Sequence, residues 1–427
     1  MGLLALAVAA IFCLVIAMPI FLAIVTGVFS YFSLTADVQP MVAVQRLMSG
    51  GQNLSLLAIP FFILLGTILN STGITPRVLA LADLISGRLR GGLAHANIIL
   101  STLMGGLSAS NLADCAMLCK MLVPEMEKQG YSRAFSAVVT SFGAQITPII
   151  PPGIGLIIYG FLADVSIGKM FMAGIIPGIM CCFLMLGAVA WVAKKRDYKP
   201  TRTGPVPAAK KKSIILSALP GLSLVVMIIG GIRAGIFTPT EAGAVGCLYV
   251  VIIGTLIHKE MKLSDFVHGL KETAASTASI MLIIMACSAL GWIFSWERIA
   301  QDLAAFITAY IPNKYLFLIC VNIILLFLGM FMEGNALLIV IVPLLKPVAM
   351  AFDIDLIHFG LIIILNLAVG TLTPPVGTVA LLASSITGTR LLDFYKETGP
   401  FFVALLGALM LVTFIPIIST FLPSALY

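Results

Sequence analysis

The fold of this chain is decided where a long apolar run is broken, at Ile146-Thr147-Pro148-Ile149-Ile150-Pro151-Pro152-Gly153-Ile154-Gly155. A second break of the same kind reads Leu372-Thr373-Pro374-Pro375-Val376-Gly377, and Pro375 lies 223 residues after Pro152. In lipid, a broken helix survives only where protein or a water-lined cavity satisfies its free backbone groups. A matched pair of breaks in two halves of a membrane protein therefore indicates the binding site of a secondary transporter.

Composition assigns the chain to a membrane. Of its 427 residues, 60% are hydrophobic and only 10% are charged, against roughly 25% charged in soluble domains. The runs 214–232, 274–293 and 401–421 approach or pass the ~20 residues that span a bilayer. Segment 3–32 lacks a basic region and a small-residue cleavage site, so it is predicted to be a retained span rather than a signal peptide.

The basic residues and the cysteines have simple interpretations. The net charge is +7, but the basic residues concentrate in the Pro- and Thr-rich segment 194–213, which is typical of a cytoplasmic loop rather than of nucleic-acid binding. The eight cysteines lie in apolar runs without the spacing of metal ligands. They are interpreted as small buried hydrophobic residues.

Placing segment 194–213 in the cytoplasm fixes a threading of the whole chain. In this threading 19 Lys and Arg residues lie inside and 6 lie outside, as the positive-inside rule expects. The chain is thus predicted to be a multi-pass protein of the bacterial inner membrane, with a cytoplasmic N-terminus and a periplasmic C-terminus.

The order of the apolar segments predicts an all-α fold with two repeats. Paired apolar stretches at about 91–127 and 315–350 are too short for two crossings each and are predicted to be re-entrant hairpins. Each precedes a predicted broken helix, at about 132–165 and 358–388. The predicted units are an N-terminal scaffold helix with its connection (1–54), repeat 1 (55–193), the basic linker (194–213), two connecting spans (214–273) and repeat 2 (274–427). Five crossings separate the repeat starts, so repeat 2 is predicted to be inverted.

Each hairpin tip combines small residues with a helix start. Tip 1 covers Gly105–Asn111 and tip 2 covers Glu333–Asn335. A helix start carries partial positive charge and free N–H groups that suit a carboxylate. Unwound carbonyl groups at 143–148 and 370–374 suit a hard cation such as Na⁺. The local alignment of the breaks stays open by three residues, because Thr147-Pro148 can also match Thr373-Pro374.

Several of these polar residues have a second interpretation. Asn111, or Ser110 beside it, and Asn335 could simply cap helices, and Asp114 resembles the acid of a capping box more than a substrate ligand. Glu333 is either a functional carboxylate between apolar arms or a group that faces outside water. Arg88 and Arg90 fit a cytoplasmic amphipathic stretch better than a substrate clamp, and no GxSxG, HExxH or HxxxxD pattern points to an enzyme.

Taken together, these motifs resemble the large membrane subunit of TRAP transporters, the tripartite ATP-independent periplasmic family. The resemblance is carried by Gly130-Tyr131-Ser132-Arg133, Ile146–Gly155, Val165-Ser166-Ile167-Gly168-Lys169, Phe237-Thr238-Pro239-Thr240-Glu241-Ala242 and Gly370–Gly377. It implies a Na⁺-coupled elevator-type importer, in which hairpins and broken helices form a mobile unit held by a static scaffold. It also implies two partners: a small four-helix membrane subunit on a separate chain, and a periplasmic substrate-binding protein.

Carried over by position, the resemblance implies two Na⁺ sites and a substrate site. Na⁺ site 1 would comprise Ser108, Asn111, Gly143, Ile146, Thr147 and Pro148, and Na⁺ site 2 would comprise Glu333, Gly334, Asn335, Gly370, Thr373 and Pro374. The substrate is expected near Ser108, Ser110, Asn111, Pro151, Pro152, Asn335 and Pro375. Many family members have Asp where this chain has Glu333.

The expected function is import of an organic acid anion. The Asn-Leu-Ala-Asp tip at 111–114 and the run 146–155 lean toward the sialic-acid branch of the family rather than the C4-dicarboxylate branch. Another carboxylate, or a carrier that needs no binding protein, remains the alternative. An intramembrane enzyme would need a nucleophile and base pair that is not found, and a channel fits matched broken hairpins less well than alternating access does.

Overall fold

The computed structural model describes residues 1–35, 38–108 and 110–427, and every regular element in those ranges is a helix. The helices before the basic linker are α1 (Gly2–Val15), α2 (Ile20–Leu34), α3 (Met41–Gly50), α4 (Ala58–Leu69), α5 (Ile74–Ser86), α6 (Gly92–Ser108), α7 (Asn111–Lys128), α8 (Arg133–Gly143), α9 (Ile154–Ala163) and α10 (Ile167–Lys195). The later helices are α11 (Ala208–Arg233), α12 (Pro239–Ile252), α13 (Leu263–Trp296), α14 (Ile299–Tyr310), α15 (Lys314–Gly329), α16 (Gly334–Ala351), α17 (Leu356–Gly370), α18 (Thr378–Thr387), α19 (Leu391–Glu397), α20 (Gly399–Phe414) and α21 (Ile417–Leu426). The predicted all-α fold is confirmed.

Several helices are long and apolar enough to cross a bilayer. Within the described ranges there are five by length and composition, or up to eight if each sharply bent pair of helices counts as one span. The longest is α13, whose 34 residues extend about 51 Å at 1.5 Å per residue.

Two hairpins and two broken helices occur in the same order in both halves. Hairpin 1 consists of α6 and α7 and precedes the broken pair α8–α9, whereas hairpin 2 consists of α15 and α16 and precedes the broken pair α17–α18. The second arms start at Asn111 and Gly334, 223 positions apart, and the helices after the breaks start at Ile154 and Thr378, 224 apart. Each break also contains a cis peptide, before Pro152 and before Pro375. The spacing of about 223 thus holds in the folded chain.

The two halves pack against each other reciprocally. Helix α7 of hairpin 1 contacts α18 from the second break, and α16 of hairpin 2 contacts α9 from the first break. Each hairpin therefore rests on the broken helix of the other half, which brings the two tips and the two breaks to one place.

The N-terminal segment differs from its prediction as a single span. Helices α1 and α2 are antiparallel: a Cβ on Gly2 would lie 2.9 Å from the Tyr31 ring, and one on Gly27 would lie 3.3 Å from the Ala10 Cβ. The chain reverses at Ala17, whose φ is 60°, and Pro19 precedes α2. The prediction of one N-terminal scaffold helix is wrong, because the reversal introduces no polar residue that would interrupt the apolar run.

Ion pairs gather at one end of the molecule. All seven that the described residues form join segments that the sequence threading assigns to the cytoplasm. They are Arg77–Glu260, Arg90–Asp197, Lys128–Glu125, Arg133–Glu127, Arg196–Glu397, Arg202–Asp83 and Lys396–Asp393. The ion pair with Glu397 also raises the pKa of Arg196. Charged loops are therefore segregated as a membrane protein requires.

Both termini lie away from that charged end. Tyr31, which packs beside Gly2, donates a hydrogen bond to Glu297 at the end of α13, whereas the basic loop around Lys262 precedes the start of α13. The C-terminal Tyr427 lies against Gly168. The N-terminus thus lies at the opposite end from the basic loops, because α1 and α2 form a hairpin instead of one crossing.

Candidate substrate and cation site

Tip 1 is held by a helix cap and by one long-range amide contact. Ser110 caps α7, its hydroxyl oxygen accepting from the Ala113 N–H at 3.4 Å. Asn111 instead starts the helix and donates from Nδ2 to Gln145 Oε1 at 2.9 Å. Ser110 is therefore the cap, which leaves Asn111 free to connect the tip to the first break. Ala109, also in the predicted tip, lies outside the described residues.

Asp114 joins tip 1 to the first break. Its side chain is fully buried and accepts a hydrogen bond from the Ser108 hydroxyl and another, at 2.7 Å, from the Thr147 hydroxyl. The capping-box interpretation is wrong here: the carboxylate turns into the protein rather than back to the start of α7. A buried carboxylate needs such donors, since burial without partners is costly.

The first break leaves some carbonyl groups free of backbone bonds. A 3₁₀ turn over Ala144–Ile146 follows α8, and the Ile146 carbonyl accepts from the N–H groups of Ile149 and Ile150 at 3.1 and 3.2 Å. Within the described part of the chain, the carbonyls of Thr147 and Pro148 accept no backbone hydrogen bond. These two carbonyls can serve as cation ligands, whereas that of Ile146 is already engaged.

Tip 2 is organised by Glu333. This residue caps α16: its Oε2 accepts from the Ala336 N–H at 2.9 Å, and its Oε1 accepts from Asn335 Nδ2 at 2.9 Å. The side chain is half-buried. Glu333 therefore does not simply face open water, because it fixes both the helix start and the amide of Asn335.

The second break is packed by glycine. A Cβ on Gly370 would lie 2.9 Å from the Gly329 Cα and 3.1 Å from its carbonyl carbon, so hairpin 2 and the broken helix meet backbone to backbone. The Gly370 carbonyl accepts from the Thr373 N–H at 3.0 Å, and the Thr373 hydroxyl donates to the Val369 carbonyl at 2.9 Å. The Gly370 carbonyl is thus engaged within the turn, whereas the Thr373 hydroxyl donates its proton there and keeps its lone pairs.

A smaller cavity lies between both tips and both breaks. The polar residues and prolines in its wall are Asn111, Pro148, Glu333, Asn335, Thr371 and Thr378. A second, larger cavity is lined by Ser108, Ser110, Glu333 and Asn335 on one side and by Glu272 and Ser276 of α13 on the other. Asn335 and Glu333 line both spaces, so tip 2 separates them.

The predicted site residues differ in whether they line a cavity. Asn111, Pro148, Glu333, Gly334 and Asn335 line the smaller cavity, and Ser108 and Ser110 line the larger one. The other predicted residues line neither cavity: Gly143, Ile146, Thr147, Pro151, Pro152, Gly370, Thr373, Pro374 and Pro375. Pro151 and Pro152 are buried, whereas Pro374 and Pro375 are exposed.

Gln145 is the main residue that the sequence interpretation missed. It is fully buried, and its Oε1 accepts from Asn111 and, at 3.1 Å, from the Thr371 hydroxyl of the second break. Its Nε2 donates to the Ser141 carbonyl at 3.1 Å. The available signal was a lone amide within an apolar membrane run, where polar residues are candidates for function by default.

Thr378 is a second missed residue. It is the first residue of α18 and lines the smaller cavity. Its hydroxyl is buried without a hydrogen-bond partner among the described residues, and an unsatisfied buried hydroxyl calls for an explanation. The cavity thus offers hydroxyl, amide and carbonyl oxygens of the kind that bind hard cations, next to the starts of α7 and α16.

The amino-acid sequence matches a known protein family over nearly its whole length. A family model described as "Tripartite ATP-independent periplasmic transporter, DctM component" matches residues 2–418. The chain is 37% identical to the sialic acid TRAP transporter large permease protein SiaM of Vibrio cholerae, over 95% of each chain. It is 34% identical to the sialic acid TRAP transporter permease protein SiaT of Haemophilus influenzae, covering 93% of this chain and 64% of that longer protein.

A further relative and a solved structure extend the comparison. The C4-dicarboxylate TRAP transporter large permease protein DctM of Pseudomonas aeruginosa is 32% identical, over 89% of this chain and 88% of the relative. The crystal structure of the Alcanivorax borkumensis YdaH transporter has the same fold, with a TM-score of 0.60 at 12% identity over 89% of each chain. The chain belongs to the DctM component family of tripartite ATP-independent periplasmic transporters, whose members are permeases and not enzymes.

Proposed function

We propose that this permease is the large membrane subunit of a Na⁺-coupled importer that moves an organic acid anion across the bacterial inner membrane. One observation carries the proposal: residues of both hairpin tips and both breaks line a single cavity. Such a site, at the interface of two broken repeats, is where secondary transporters bind substrate and coupling ions.

An anionic substrate fits the charges of this site. The starts of α7 and α16 are at the tips, and helix starts favour a carboxylate. Among the described residues that line either cavity there is no Lys or Arg, so the N–H groups and amides would hold the anion. The proposed substrate is sialic acid, because relatives named for it are 37% and 34% identical. A C4-dicarboxylate or another carboxylate is the alternative.

Na⁺ is the proposed driving ion. The carbonyls of Thr147 and Pro148, the hydroxyl of Thr378 and the amide of Asn335 provide neutral oxygen ligands. Two Na⁺ entering with one monoanion move one net charge, which contributes about 2.3 kcal/mol at 100 mV before the Na⁺ gradient is counted.

The proposed movement is that of an elevator. Hairpins 1 and 2 with their broken helices would form the mobile unit, and the helices around α4, α11 and α13 would form the scaffold. A Cβ on Gly66 of α4 would lie 2.1 Å from the Ser108 carbonyl, so the scaffold meets tip 1 without an intervening side chain. With the charged end in the cytoplasm, both termini would face the periplasm.

Two partners complete the proposed system. A small four-helix membrane subunit would stabilise the scaffold, and a periplasmic binding protein would deliver the substrate. The test is uptake of labelled sialic acid into proteoliposomes that contain both membrane subunits, with an inward Na⁺ gradient and the binding protein outside. We expect uptake that needs both Na⁺ and the binding protein.

The control replaces Na⁺ with choline at equal ionic strength, and C4-dicarboxylates are tested in parallel with their own binding protein. Uptake by the membrane subunits without any binding protein would show a different class of carrier. Uptake indifferent to Na⁺ would overturn the proposed coupling.

A further inference from the structure

The buried carboxylate of Asp114 has an arrangement that ordinary helix capping does not explain. It accepts from two hydroxyl groups that belong to separate parts of the chain, Ser108 at tip 1 and Thr147 in the first break. It takes part in none of the ion pairs found among the described residues. A buried carboxyl group is thus held behind the predicted Na⁺ site 1 without a cationic side chain beside it.

This arrangement orients both hydroxyls. A hydroxyl group has one proton to donate and two lone pairs that accept. Because the protons of Ser108 and Thr147 point toward Asp114, their lone pairs face away from it. Both oxygens are then prepared to act as ligands for a cation, and neither can donate to an anion.

Repeat 2 lacks this arrangement. At a spacing of 223, the counterpart of Asp114 is Leu337 and the counterpart of Glu333 is Ser110. The carboxylate of Glu333 is occupied by the Ala336 N–H and the Asn335 amide. Tip 2 thus has its acid at the helix cap, whereas repeat 1 has its acid one turn further into the helix.

We propose that Asp114 is a positioning residue that makes Na⁺ site 1 the tighter of the two cation sites. The inference rests on the proposed Na⁺ coupling and deepens it. Asp114 does not touch the ion: it accepts from the hydroxyls of Ser108 and Thr147 and so leaves the lone pairs of both oxygens for the cation.

The test is Na⁺ binding rather than transport alone. The permease with its small subunit is purified, and its thermal stabilisation is followed as NaCl replaces choline chloride at constant ionic strength. In Asp114→Asn we expect the half-saturating Na⁺ concentration to rise about 10- to 100-fold, as happens when groups behind a metal ligand are changed. At saturating Na⁺, the KM for substrate in proteoliposomes should change less than about twofold, since the substrate does not contact Asp114.

A matched control separates this role from general stability. Thr140→Val removes another fully buried hydroxyl of the same unit, one that accepts from Asn97 at 2.7 Å. This variant should lower the melting temperature without shifting the half-saturating Na⁺ concentration. If Asp114→Asn does not assemble, Thr147→Ser and Thr147→Val replace it: Ser should preserve Na⁺ binding and Val should weaken it.

Two negative results are distinguishable. A wild-type complex with no Na⁺-dependent stabilisation would overturn the proposed Na⁺ coupling and this inference with it. The other negative result concerns Asp114 alone. If Na⁺ stabilises the wild type and the half-saturating Na⁺ concentration is the same in Asp114→Asn or Thr147→Val, the proposed role of Asp114 is overturned while Na⁺ coupling stands.

Discussion

Asn111 and Thr371 donate hydrogen bonds to the same atom, Gln145 Oε1, at 2.9 and 3.1 Å. Asn111 belongs to tip 1, and Thr371 belongs to the second break. A single buried amide therefore connects the two repeats beside the smaller cavity. Both donors also line that cavity. A substitution of Gln145 therefore removes a hydrogen bond from a cavity-lining residue in each repeat.

Replacing Gln145 with Leu should abolish Na⁺-dependent uptake. The change leaves the Asn111 amide without its acceptor, and an unpaired buried donor costs about 1–3 kcal/mol. The Thr371 hydroxyl keeps its other acceptor, the Ala368 carbonyl at 2.8 Å, but loses its contact with the first break. Uptake into proteoliposomes and the melting temperature of the complex check this together. Gln129→Leu, at an exposed position after α7, is the control and should leave both unchanged. Normal uptake in Gln145→Leu would show that the connection between the repeats is dispensable.

Asn111→Ala and Asn335→Ala should each abolish Na⁺-dependent uptake while the complex still assembles. Both side chains line the smaller cavity, one from each tip, and neither is the cap of its helix. Uptake and size-exclusion chromatography of each variant provide the measurement, with Asn70→Ala at an exposed helix end as the control. Retained uptake with unchanged Na⁺ dependence in both variants would refute the site assignment.

Gly370→Ala should destabilise the protein by about 1–3 kcal/mol, the usual cost of overpacking. The new methyl group would lie 2.9 Å from the Cα of Gly329 and force hairpin 2 away from the break. Gly407→Ala is the matched control, because a Cβ there meets nothing within 4 Å. The measurement is the melting temperature of each variant, determined in the same detergent. Equal melting temperatures would mean that the close approach of Gly329 and Gly370 can relax without cost.

Cysteine labelling should place the basic linker and the C-terminus on opposite sides of the membrane. Thr203→Cys in the exposed linker should react with an impermeant maleimide only after the inner membrane is opened, whereas Ser424→Cys should react in spheroplasts. The eight native cysteines are buried or half-buried, so their background should be low. Labelling of both positions under the same condition would contradict the proposed orientation.

Much of the fold could be predicted because membrane segments are constrained locally. Three local features predicted both hairpins and both breaks. They are apolar runs too short to cross the bilayer twice, matched Pro and Gly clusters, and an excess of Lys and Arg in some loops. The N-terminal hairpin escaped prediction because the chain reverses at Ala17 within an unbroken apolar run.

The polar contacts of the site could only be partly predicted. The sequence by itself determined that polar residues of two tips and two breaks must be satisfied inside a membrane protein, since lipid offers them no partners. Only the tertiary structure decided which partners they have: Asp114 turns away from its own helix start to bind Ser108 and Thr147, and Gln145 receives donors from both repeats. Those pairings depend on how hairpins and broken helices pack across more than 200 residues of chain, a geometry that local sequence pattern does not encode.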